Sequence, residues 1–128
     1  MSDLDRPYGL ADIFTGIFVA GSESGPVQIG WRKRPARVKD RLYHAWVADA
    51  GLARRVQLEA CRLLDKAGKR IGETKTFDIP LEWAKKVLVF AAQQIGVPLY
   101  SDGDLVDYLN AQREREVQKL VRELGRVT

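Results

Sequence analysis

The chain is poor in the residues that most site chemistry requires. Its 128 residues include one cysteine, Cys61, one histidine, His44, and one methionine. A single cysteine excludes an internal disulfide, and one His with one Cys cannot seed the three- or four-ligand cluster of a zinc site. A Cys–His nucleophilic pair would need the two side chains adjacent with an orienting acid, and nothing in their spacing requires that. No apolar run approaches the roughly 20 residues of a bilayer span. The start, Met1-Ser2-Asp3-Leu4-Asp5-Arg6, is acidic and lacks the basic region that opens a secretory signal. These absences point to a reducing cytoplasm, with no membrane partner and no cofactor. Asp102, Asp104 and Asp107 open a predicted helix, where carboxylates complement the dipole, a better account of them than Mg²⁺ binding. Gly68-Lys69 and Gly72 lack the spacing of a phosphate loop.

What the chain does have is positive charge in one place. Residues 1–26 carry one cation and four acids, residues 27–80 carry thirteen cations and six acids, and residues 81–128 carry seven of each. The net charge of +4 therefore hides a middle segment at +7. Its densest part is Arg32-Lys33-Arg34-Pro35-Ala36-Arg37-Val38-Lys39-Asp40-Arg41, six cations and one acid in ten residues. Such a block repels itself unless an anion neutralises it, so it faces solvent or a partner.

The rest of the chain reads as one domain: a lead-in and first strand over 1–26, a basic antiparallel sheet over 27–79, and two helices over 80–126. Pro7-Tyr8-Gly9 suits a turn, and Ile13 to Ala20 suits a buried strand. Gly21-Ser22-Glu23-Ser24-Gly25-Pro26 is the clearest turn cluster. Val27, Ile29 and Trp31 then alternate with Gln28, Gly30 and Arg32, the period of a strand. Leu42 to Ala48 suits another, in which Trp46 and Val47 cannot share a face, and Asp49-Ala50-Gly51 ends it. Val56, Leu58 and Ala60 alternate with Gln57, Glu59 and Cys61. With a turn at Asp65-Lys66-Ala67-Gly68 and a return through Lys69 to Phe77, they predict a β-hairpin.

Pro80 opens a helix whose apolar stripe is Leu81, Ala84, Leu88, Ala91 and Ile95, widened by Val87 and Phe90, and which Gly96 and Pro98 stop. Ser101 with Asp104 forms a capping box for a last helix through Leu105, Leu109, Val117, Leu120, Val121 and Leu124. Its middle, Gln112 to Glu116, is polar all round, as expected of an exposed stretch between two anchors or of a bend. The expected fold is α+β: an antiparallel sheet of four or five strands followed by two C-terminal helices packed on one face. The other face would then meet solvent or a partner.

Phosphates need cations spaced along a surface, and bases need flat faces to stack on. Trp31 and Tyr43 flank the basic run, which supplies Arg32, Lys33, Arg34, Arg37, Lys39 and Arg41. Arg54, Arg55, Arg62, Lys69 and Arg70 on the expected hairpin would extend it. The pattern predicts a small non-enzymatic protein that binds DNA or RNA, single-stranded or through the backbone rather than by sequence. The alternative is an adaptor or inhibitor that docks the same surface on an acidic partner protein. Alternating Arg and Glu beside the stripe of the last helix also suit a homodimer seam.

Overall fold

Thr15 to Ala20 are apolar or small at every position, so the strand they form needs cover on both faces. The computed structural model describes residues 14–127 and places this strand, β1 (Thr15–Gly21), inside a four-stranded antiparallel sheet. The other strands are β2 (Val27–Arg32), β3 (Arg41–Val47) and β4 (Thr76–Phe77), in the order β3-β1-β2-β4. Three helices complete an α+β fold: α1 (Ala50–Lys66), α2 (Leu81–Gln94) and α3 (Asp102–Val127). The Pro7-Tyr8-Gly9 turn lies outside the described residues.

One face of the sheet carries Ile17, Val19, Val27, Ile29, Val47 and Phe77. These pack with Ala53, Val56, Ala60 and Leu64 of α1 and with Ala84, Leu88 and Ala91 of α2 in the main core. A buried Gln57 amide donates to the Ile29 carbonyl at 3.1 Å and ties α1 to β2.

The expected hairpin over Val56 to Phe77 does not form. Its first strand is most of α1, because Ala53, Val56, Gln57, Ala60, Cys61 and Leu64 recur at helical spacing and are all buried. Leu58, a core position in the strand reading, is exposed. Asp49 does not simply end β3. Its carboxylate accepts from the Leu52 N–H at 2.8 Å and caps the helix. The Asp65–Gly68 turn closes the same helix. Gly68, at φ +72°, lets the Lys69 N–H reach the Leu64 carbonyl and its own N–H reach that of Asp65, both at 2.9 Å. Of the return strand only β4 and an Arg70–Phe77 bridge remain. The two expected C-terminal helices, α2 and α3, follow the sheet, and α1 adds a third helix between β3 and β4.

The sheet's second face is also covered, contrary to expectation. In register across it lie Gly16 with Arg32 and Trp46, and Phe18 with Gly30 and His44. Trp46 is buried there with Leu105 of α3, Phe14 and Tyr100, while its neighbour Val47 faces the main core. The alternation inferred for this pair therefore buries both residues, on opposite faces. Phe18 lies over Gly30. A 3₁₀ turn at Pro35–Arg37 packs on the rest, with Pro35 buried.

α2 follows Pro80 as its stripe requires, but Phe90 is half exposed rather than buried. α3 opens with the expected box: the Ser101 N–H donates to Asp104 Oδ2 at 3.0 Å and the Asp104 N–H to Ser101 Oγ at 3.2 Å. Beyond Gln112 it meets no second anchor among the described residues and does not break; every residue from Arg113 to Arg126 is exposed.

Candidate nucleic-acid interface

The register decides where the basic run goes. Both β2 and β3 pair antiparallel with β1, so they run parallel to each other with β1 between them. β2 ends at Arg32, opposite Gly16, whereas β3 begins at Arg41, opposite Ala20. Residues 33–40 must therefore cross the second face of the sheet from one end to the other. They form a crossing strap, not a hairpin tip. Gly16 makes the crossing possible, because a β-carbon there would overlap the Pro35 ring. At the far end the Gly21 N–H donates to the Asp40 carbonyl at 2.9 Å.

With Pro35 turned inward, Lys33, Arg37 and Lys39 are exposed and Arg34 is half-buried. Arg32, Lys33, Arg34 and Arg37 line one shallow concavity. Among the described residues, Arg32, Lys33 and Arg37 form no ion pair with a carboxylate. Four cations around one depression, without carboxylates in its lining, form an anion-attracting surface. Val47 pairs with Thr15 at this same end of the sheet, and α1 starts three residues later. The exposed Arg54 and Arg55, in the second turn of α1, therefore stand at that end too.

The remaining expected residues are placed elsewhere. Lys39 is exposed near the far end of the strap. Arg41 turns inward, where its Nη1 donates to His44 Nδ1 at 2.5 Å. Arg62 is held by Glu59 through two contacts of 3.0 and 2.5 Å, which lower the Glu59 carboxyl below its ordinary range and raise the guanidinium. Arg70 donates to Asp65 Oδ1 at 2.8 Å and lies 5.5 Å from the Phe77 ring centroid. Lys69 and Arg70 flank β4, at the Val27 end of β2, opposite the strap's basic end. The two aromatics do not join the strap. Trp31 is in register with Ile17 on the core face and is partly exposed at the strand's end. Tyr43 packs half-buried against the core with Lys85 Nζ 5.2 Å from its ring centroid, and burial pushes its phenol above the ordinary value.

A second polar constellation escaped sequence reasoning. Arg41 can only donate, so His44 Nδ1 accepts, and Nε2 carries the proton given to Asp102 Oδ1 at 2.7 Å. The Trp46 indole N–H donates to the same oxygen at 2.6 Å. Arg41, His44 and Asp102 line a groove of about 820 Å³ along the β3 edge, between the ends of α2 and α3. The only sequence signal was that Asp102 sits inside the Ser101–Asp104 capping box without being one of its two partners. Cys61 lies in the main core, across the sheet from His44, so the two form no pair. No group of three or more His, Cys, Asp or Glu side chains is placed to hold a metal ion, and no helix is long and apolar enough to cross a membrane, among the described residues. Comparison with protein-family models, curated proteins and solved structures finds no match to this chain.

Proposed function

We propose that this chain is a small, non-enzymatic nucleic-acid-binding protein that grips the phosphate backbone with its β2–β3 strap. The observation that carries the reading is the single concavity lined by Arg32, Lys33, Arg34 and Arg37. Arg54 and Arg55, at the same end of the sheet, extend the contact to neighbouring phosphates. With Trp31 and Tyr43 turned to the core face, recognition is directed at the backbone, and base stacking contributes little.

Fluorescence anisotropy against single-stranded DNA, duplex DNA and RNA oligomers at several ionic strengths tests the proposal. The four strap cations alone give a slope of log K against log salt of roughly −3 to −4, depending on strandedness, and contacts from Arg54 and Arg55 steepen it further. Arg34→Ala with Arg37→Ala should weaken binding and flatten the slope by about two. Arg62→Ala with Arg70→Ala should leave both unchanged. Absence of binding to every oligomer at low salt overturns the proposal, and a stoichiometric acidic protein complex that survives nuclease would then favour the adaptor reading.

A further inference from the structure

We infer that α3 is a dimerisation arm that pairs antiparallel with α3 of a second copy. The arm is unusual for a helix of its length. Its 26 residues span about 39 Å, yet among the described residues its apolar contacts with the body come from the first turns, Leu105 and Leu109 against Trp46 and Tyr108 against Phe14. Val117, Leu120, Val121 and Leu124 are each more than half exposed. They recur at spacings of three and four along one side, in a helix whose other positions there are Arg, Glu, Lys and Gln. An amphipathic stripe left uncovered among the described residues is what a helix–helix seam looks like before pairing.

Charge selects the occupant and its direction. Residues 102–112 carry three carboxylates and no cation, while residues 113–126 carry five cations and three carboxylates. The helix is therefore negative in its first half, by −3, and positive in its second, by +2. A second copy laid antiparallel sets each half against its opposite and also opposes the two helix dipoles. A parallel copy sets like against like along the whole length. The antiparallel register that lays Val106 of one copy on Leu120 of the other also lays Leu109 against Val117. It brings both Arg113 side chains to the two-fold axis among the Glu114 and Glu116 carboxylates. The seam is self-complementary, as a closed dimer requires.

Sedimentation equilibrium of the full chain between about 1 and 100 µM should show a concentration-dependent dimer, with a dissociation constant within that range. Leu120→Glu with Leu124→Glu should raise that constant about a hundredfold or more, since two large apolar side chains per copy lose their burial. These positions are exposed in the monomer, so circular dichroism should report an unchanged fold. Direction is read by disulfide trapping. An equimolar mixture of Val106→Cys and Leu120→Cys chains should cross-link to each other, and Leu120→Cys alone should not, while the buried Cys61 stays inert. A monomer throughout, a dimer indifferent to the Glu substitutions, or self-linking of Leu120→Cys would each overturn the inference.

Discussion

Gly16 has a proline ring where its β-carbon would be, and that one vacancy fixes the path of the basic strap. Gly16→Ala forces the strap off the sheet or the strand out of line. Overpacking of this kind costs about 1–3 kcal/mol, which urea denaturation would register as a lower midpoint at unchanged slope. Asp102 is the other residue on which much depends, since one of its oxygens accepts from both His44 and the buried Trp46 indole. Asp102→Ala leaves those two donors without a partner, at a cost of about 1–3 kcal/mol in thermal or chemical unfolding. Asp104, two residues on, acts differently. The Ser101 N–H, and then its hydroxyl, hold the Asp104 carboxyl below its ordinary range. A lowered folded value means its contribution is fully present above the unfolded value of about 3.9 and is lost as pH falls through the folded one. Stability measured from pH 5 downward should therefore fall less steeply in Asp104→Ala than in the parent chain.

At the scale of elements, what could be read in the sequence was set by how far a signal reaches. The capping box at Ser101, the helix after Pro80 and the buried strand before Gly21 are each written within a few residues, and all three form. α1 was hidden because Val56, Leu58 and Ala60 satisfy a period of two while Ala53, Val56, Gln57, Ala60, Cys61 and Leu64 satisfy 3.6. The decisive evidence lay at the ends, in the Asp49 cap and the Gly68 close, and both turn-like signals fit a strand boundary equally well. Asp49→Ala should cost about 1 kcal/mol of stability, a loss that an isolated strand end would not show. The candidate site was legible in charge and not in place. Six cations in ten residues announce an outward surface, but the course of the strap depends on strand order, which only long-range pairing fixes. For the same reason Arg62 and Arg70 looked like partners of the strap, when each is occupied by a carboxylate of α1.

For the molecule as a whole, the sheet separates two kinds of business. One face, under α1 and α2, holds the main core; the other holds the strap and the root of α3. The salt slope and the oligomeric state are therefore expected to respond to different substitutions, the Arg34/Arg37 pair moving the first and the Leu120/Leu124 pair the second. In an antiparallel dimer the two straps are carried by separate bodies at the ends of a shared rod. A long oligomer able to span them should then bind more tightly than two short ones, and the Leu120→Glu, Leu124→Glu chain should lose that difference.

The strap also carries a built-in gauge of its own detachment. It is dense with sites that trypsin cuts, yet a protease needs extended backbone, and the 3₁₀ turn seated by Pro35 withholds it. Nicking between Lys33 and Arg41 thus counts the moments when the segment lifts away from β1. A polyphosphate chain lying along it should slow the clock, by shielding the side chains and by keeping the crossing closed.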